Sequence, residues 1–165
     1  MDVIVRKVQN GDESVLAYIQ TESWKAAFAC ILDSDTLNRC TDIVKAIRMY
    51  KKLLEEGKGN GYIMTLEGKP HCIAWWDAAR DFDMQGKAEL ICIHSLPDNW
   101  RKGYGSMMMD QVLLDIERAG YTEVVLWVFK DNTRARTFYE VKGFQPTTRR
   151  KQAFGTEEIC YSKKI

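Results

Sequence analysis

No disulfide framework or zinc site is written into this 165-residue chain. Its five cysteines (Cys30, Cys40, Cys72, Cys92 and Cys160) are odd in number and scattered, and none forms a Cys-x-x-Cys pair. Nor is there an excess of one charge. A formal net charge of +1 gives no electrostatic reason to expect nucleic acid or an anionic membrane as partner. No apolar run approaches the roughly 20 residues that cross a bilayer. The start, Met1-Asp2-Val3-Ile4-Val5-Arg6-Lys7, lacks the basic opening and long apolar stretch of a secretion signal. Free thiols without a leader fit a reducing compartment, so the expectation is a cytoplasmic protein. Repeats, low-complexity tracts and linkers are also missing. The length then fits one domain, residues 1–165, able to bury a core without staples.

What is present is organised around Leu96-Pro97-Asp98-Asn99-Trp100-Arg101-Lys102-Gly103-Tyr104-Gly105-Ser106. Before it, Ala88 to Ile93 is apolar and bounded by Gly86 and Pro97, which reads as a mostly buried strand. After it, Met109, Val112, Leu113 and Ile116 recur at helical spacing within Met107 to Ala119, and Gly120 suits a stop. A strand therefore leads through a basic, glycine-containing turn into a helix. The first amides of a helix have no internal partner and carry the positive end of its dipole. Glycines let a ligand approach the backbone, and Arg101 and Lys102 add positive potential. The composite suits an anion, phosphate above all, while an ordinary strand-to-helix turn explains the same residues without a ligand. The pattern is neither Gly-x-x-x-x-Gly-Lys-Ser/Thr nor Gly-x-Gly-x-x-Gly, whose third glycine position holds Met108.

Taken in order, Val3 to Arg6 suits a first strand, and Asn10-Gly11-Asp12 a turn with a helix cap. Val15 to Ile31 keeps helical spacing as one bent helix or two consecutive ones. Asp33-Ser34-Asp35 reads as a break. A helix with Ile43, Ala46, Ile47, Tyr50 and Leu54 on one stripe follows, then a glycine-rich loop over Glu55 to Gly61. Tyr62 to Leu66 and Pro70 to Ala78 form a hairpin about Glu67-Gly68-Lys69. In the second run, Trp75 and Trp76 put one ring on each sheet face. Glu123 to Phe129 is a strong strand. Asp131-Asn132-Thr133 caps a helix bearing Ala135, Phe138, Tyr139 and Lys142, with Gly143 at its end. Phe144 starts a short strand, and Phe154 to Ser162 is another. Arg149-Arg150-Lys151 and Lys163-Lys164 read as solvated surface, and Met107-Met108-Met109 as pliable core. This order implies an α/β fold of the mixed kind, a mixed sheet with helices on its faces.

The segment Pro97-x-x-Trp100-Arg101-Lys102-Gly103-Tyr104-Gly105-Ser106 resembles the acetyl-CoA motif of the GNAT-type N-acetyltransferases, Arg/Gln-x-x-Gly-x-Gly/Ala a few residues after a proline. A second block at the family's spacing, Asn132-x-x-Ala135-x-x-Phe138-Tyr139-x-x-x-Gly143-Phe144, resembles the same family. The similarity is clear from about Ala88 to Phe144. One departure stands out: the motif's first position is Trp100, with Arg101 one place later.

The resemblance implies a single-domain acyl-CoA N-acyltransferase fold, a mixed, mostly antiparallel central sheet with helices on both faces, splayed around the cofactor. Residues 1–60 would supply the first strand and the acceptor-side helices, 61–144 the sheet and acetyl-CoA core, and 145–165 the last strands. It implies acetyl-CoA as cofactor, with pyrophosphate on Arg101, Lys102, Gly103, Tyr104, Gly105 and Ser106. Pantetheine would meet the backbone of Ile93, His94 and Ser95 and the side chain of Asn132. Tyr139 would protonate the departing thiolate, as a phenol of pKa about 10 can. For the base that deprotonates an amine acceptor, Glu89 and His94 are both candidates. Five residues apart, they face opposite sides of a regular strand unless a bulge intervenes. Cys92 is a conceivable nucleophile with no evident histidine partner. The expected activity is acetyl transfer to a primary amine, on a small molecule or a protein, by direct attack in a ternary complex. The expected protein is a monomer or homodimer without metal, nucleic acid or membrane partner. The alternative is a CoA-binding regulatory module of the same fold without turnover.

Overall fold

The computed structural model describes residues 1–165. Strand β1 (Val3–Lys7) is followed by helices α1 (Glu13–Ala27), α2 (Ser34–Cys40) and α3 (Ile43–Glu56). Strands β2 (Asn60–Leu66), β3 (Lys69–Ala78) and β4 (Ala88–Ser95) form a meander. Then come α4 (Tyr104–Arg118), β5 (Glu123–Phe129), α5 (Thr133–Val141), β6 (Gln145–Ala153) and β7 (Thr156–Lys164). All strands join one sheet in the order β1-β2-β3-β4-β5-β7-β6. Every pairing is antiparallel except β4 with β5.

Local chemistry sets the boundaries. Helix α1 stops at Ala27, short of the Ile31 to which the periodicity extends. Asp33 then starts α2, a helix absent from the sequence expectation, its carboxylate accepting from the Thr36 amide. Asp42 caps α3 through the Val44 and Lys45 amides, and Gly57, in the left-handed region, closes it. Glu67 and Gly68 take φ of 49° and 78°, the two-residue hairpin turn that matches strand twist. Phe154 and Gly155 do the same with φ of 55° and 77°. Phe154 is thus a turn residue rather than the start of the last strand. The strand after Phe144 is also longer than expected and contains the whole Arg149-Arg150-Lys151 run.

The two sheet faces bury separate clusters. Tyr62, Met64, Cys72, Ala74, Trp76, Leu90, Val124, Leu126 and Val128 pack beneath Met108, Met109, Val112 and Ile116 of α4 and Tyr139 of α5. On the other face Ile63, Ile73 and Trp75 meet Leu16, Ala17 and Ile19 of α1 and Ala46 and Tyr50 of α3. Trp75 and Trp76 take opposite faces, as the alternation predicts, and both are buried. Gly61 makes room for the first ring: a Cβ there would lie 2.3 Å from Trp75 Cζ3. Helices therefore cover both faces, and the parallel β4–β5 junction lies at the centre of the sheet.

Candidate active site

Strand β4 carries a bulge. Trp75 pairs with Cys92 and Trp76 with Leu90, leaving Ile91 without a partner. The extra residue moves Glu89 onto the face that holds Cys92 and His94, since their cross-strand partners Asp77, Trp75 and Ile73 share one side. The two candidate bases are thus brought to one face, the α1 side. Strand β5 pairs with β4 only at Ala88↔Val124 and Glu89↔Val125. Beyond those pairs the strands part, and the ends of β4 (Ile93 to Ser95) and β5 (Val128, Phe129) border a gap.

The turn after β4 brings backbone donors to the mouth of that gap. Arg101 and Gly103 have φ of 62° and 86°, and Gly103 caps α4 in the left-handed region. From Arg101 through Ser106 no amide donates to an acceptor within the chain. A side chain at Gly103 would be strained by its φ even though the space beside it is open. Tyr104 is buried, its ring edge-on to His71 at 5.3 Å, so it contributes an amide rather than a side chain to the turn. His71 escapes the sequence reading: it is buried under the turn, with Nδ1 3.4 Å from Asn99 Nδ2 and Nε2 without a partner.

Trp100, the motif's odd residue, is fixed in place. Its indole N–H donates to the Ser95 carbonyl at 2.9 Å. Arg134, in the first turn of α5, lies with Cζ 3.6 Å from the centre of its ring. Arg134 pairs with no carboxylate, and burial together with nearby Arg101 lowers its pKa. An unpaired guanidinium beside Arg101, Lys102 and the free amides makes a strongly anion-attracting surface. Arg134 was not among the sequence-derived candidates, because only the fold brings the start of α5 beside the turn.

Asn132 caps α5, its Oδ1 accepting from the Ala135 amide at 3.2 Å. The cap role read from sequence holds, and its amide nitrogen has no partner within the chain. Tyr139 is buried among Phe144 and Tyr161, with ring centroids 6.0 and 6.5 Å away. Its hydroxyl makes no hydrogen bond inside the protein. Burial, reinforced by Cys92, pushes its pKa up against the opposing pull of Arg134, so the phenol keeps its proton at neutral pH.

The other candidates are committed to protein partners. Glu89 accepts from Arg80 Nε at 3.2 Å, from Arg80 Nη2 at 2.6 Å and from the Arg80 amide at 3.1 Å. His94 Nε2 accepts from the Trp24 indole at 3.2 Å, which requires the neutral ring. Burial, with Arg134 nearby, lowers the His94 pKa to about 4. Burial raises that of Cys92 to about 12, so it is a thiol and a poor nucleophile. The basic run of β6 is not free surface either: Arg149 pairs with Asp83, Arg150 with Glu157 and Lys151 with Glu158.

The family model of the GNAT acetyltransferases matches residues 33–144, and the chain belongs to that family. Solved structures share the fold across the whole chain. The PaiA N-acetyltransferase of Thermoplasma acidophilum, in complex with coenzyme A, is 18% identical with a TM-score of 0.80 and full coverage of both chains. The ribosomal-protein-alanine N-acetyltransferase of Brucella melitensis is 14% identical, TM-score 0.76, covering 98% of this chain and 99% of that one. The putative acetyltransferase YncA of Salmonella typhimurium, with acetyl-CoA, is 16% identical, TM-score 0.74, covering 98% and 93%. Neighbours held with coenzyme A and acetyl-CoA agree with the family's use of acetyl-CoA. No curated protein matches the sequence. No helix is long and apolar enough to cross a membrane.

Proposed function

We propose that the protein is an acetyl-CoA-dependent N-acetyltransferase that passes the acetyl group to a primary amine by direct attack in a ternary complex. The observation that carries this reading is Tyr139: a buried phenol, kept protonated, with an unpartnered hydroxyl, on the helix that Asn132 caps. Acetyl-CoA, when bound, supplies an acetyl group activated as a thioester. The amides of Arg101 to Ser106, with Arg101 and Lys102, hold its pyrophosphate. The free edge of β4 at Ile93, His94 and Ser95 receives pantetheine as an added strand, and Asn132 contributes its side-chain amide. A backbone N–H left free where the strands part polarises the thioester carbonyl. Tyr139 gives its proton to the departing sulfur. The neutral Cys92 thiol supports direct transfer over an acyl-enzyme. One neighbour of similar fold is named for ribosomal-protein alanine, but at 14% identity the shared fold does not choose the amine for this chain.

Thermal shifts with acetyl-CoA, CoA, ATP and NAD in parallel test the cofactor. A ligand at a hundred times its dissociation constant adds about 2.7 kcal/mol. A rise with acetyl-CoA and CoA is expected, and no rise with either at millimolar concentration overturns the assignment. Tyr139→Phe then tests the acid. Transfer is expected to fall about 100-fold or more while CoA affinity stays within about twofold.

A further inference from the structure

The acceptor side of the gap has a chemical character of its own. Trp24 of α1, Phe28 just past its end, Phe129 at the end of β5 and Phe154 at the β6–β7 turn form one cluster of edge-to-face rings, with centroids 4.9 to 6.0 Å apart. Trp24 also reaches His94 at the end of β4. Phe154 sits in the left-handed region, which disfavours bulky side chains, and is 46% exposed. The turn thus holds a large aromatic at the rim of the gap in a conformation better suited to asparagine or glycine.

One carboxylate stands in this wall. Glu158 is the cross-strand partner of Phe129, so both side chains lie on the α1 face, the face of His94. Its side chain is only 14% exposed, and its one close partner is Lys151, at 3.8 Å. It accepts no hydrogen bond, unlike Glu89, whose oxygens Arg80 occupies. The charged groups around it are Lys151 from β6, Arg80 after β3 and Glu89 from β4, and burial leads the causes that raise its pKa. Lys151 and Arg80 offer no welcome to a second positive charge on a ligand.

Resting on the transferase reading above, we infer that the acceptor is a monoamine with an apolar or aromatic body, its ammonium seated at Glu158 against the Phe129 and Phe154 rings, and that Glu158 takes its proton. The ammonium gives one proton to the Glu158 carboxylate, which passes it to solvent. The amine nitrogen forms the C–N bond as the C–S bond breaks, and the sulfur takes the Tyr139 proton. The second proton lost by nitrogen, as the amide forms, restores Tyr139. A polyamine is disfavoured by the surrounding cations, and a ring-bearing amine has the aromatic wall to itself.

The experiment uses 2-phenylethylamine and spermidine as probes with the wild type and Glu158→Gln. Binding of 2-phenylethylamine without cofactor, read by tryptophan fluorescence, is expected in the wild type and weakened at least tenfold in the variant. With acetyl-CoA present, 2-phenylethylamine is expected to be acetylated at least tenfold more efficiently than spermidine. At pH 7 kcat/KM should fall about 100-fold in Glu158→Gln, the contribution of a general base. That deficit should shrink as pH rises toward the amine's own pKa, about 10, because the free amine then needs no base. An unchanged acetyl-CoA thermal shift shows that the variant is folded. A normal acetyl-CoA shift with no binding or turnover of 2-phenylethylamine, with a preference for spermidine, or with a deficit independent of pH, overturns this inference alone. Loss of the acetyl-CoA shift in the wild type overturns the transferase reading itself.

Discussion

Arg134 Cζ lies 3.6 Å from the centre of the Trp100 ring, and the Trp100 indole is tied to the Ser95 carbonyl. The family motif places Arg or Gln where this chain has Trp100. Here the guanidinium arrives from α5 instead and rests on the tryptophan. Arg134→Met should weaken CoA binding about tenfold or more, the worth of a charge-assisted hydrogen bond. Titration calorimetry at two salt concentrations checks this, and the difference between wild type and variant should narrow at the higher one. Because Arg134 has no carboxylate partner, its loss should leave the melting temperature of the free protein nearly unchanged. An unaltered CoA affinity would remove Arg134 from the phosphate site.

Gly61 gives a prediction about stability alone. A Cβ there would collide with the Trp75 ring, which is itself buried against Tyr50. Gly61→Ala should destabilise by about 1–3 kcal/mol, as overpacking does. Urea unfolding should show a lower midpoint, with the CoA affinity of the folded protein retained.

Cys92 borders the gap but is a half-buried thiol whose pKa desolvation lifts to about 12. Iodoacetamide at pH 8 should leave it unmodified while exposed Cys30 reacts. Cys92→Ala should keep turnover within a few-fold. Initial-rate patterns should intersect, as for a ternary complex. Parallel lines together with a dead Cys92→Ala variant would point to an acyl-enzyme.

His94 links stability to pH. Its folded pKa lies at about 4, below the ordinary value near 6.5. Between those values the unfolded chain binds a proton that the folded ring refuses. The contribution is therefore present above about pH 6.5 and is lost as pH falls toward 4. Melting temperatures at pH 7, 6 and 5 should fall less steeply for His94→Gln than for the wild type. Equal slopes would show that the ring is protonated as readily in the fold as outside it.

Most of the fold was legible because its signals are local. The apolar runs of β4 and β5, the Asn132 cap, the Gly143 stop and the Glu67-Gly68 turn each follow from a few neighbouring residues. The misjudged boundaries come from residues whose patterns mislead. Asp33 looks like an interruption but is a cap that begins a new helix. Phe154 looks like strand because aromatics favour strands, yet packing against Trp24 and Phe129 holds it in a turn. The site was half legible. The glycine turn and Tyr139 stand in short motifs, whereas the bulge at Ile91 has no sequence mark, so the shared face of Glu89 and His94 emerges only from the register. The Arg80 clamp on Glu89, the Trp24 bond to His94 and the stacking of Arg134 join residues distant in sequence. No spacing announces them.

The narrow junction between β4 and β5 has a mechanical side. Ala88↔Val124 and Glu89↔Val125 are all that laces the meander β1–β4 to the β5–β7–β6 ribbon within the sheet. Beyond that lacing, two interior strands present bare edges to each other, a situation most sheets confine to their rims. The sheet is therefore two halves joined at one end and parted at the other, with α4 and Tyr139 of α5 packed across one face. In the proposed complex a pantetheine arm lying in that gap would take the place of the missing strand and tie the halves together. The amides of Ile93, Ser95 and Phe129, which alternate with the His94 and Val128 amides held by β3 and β7, would then exchange with solvent freely in the empty protein and slowly in the loaded one, making the cofactor part of the sheet's own cohesion.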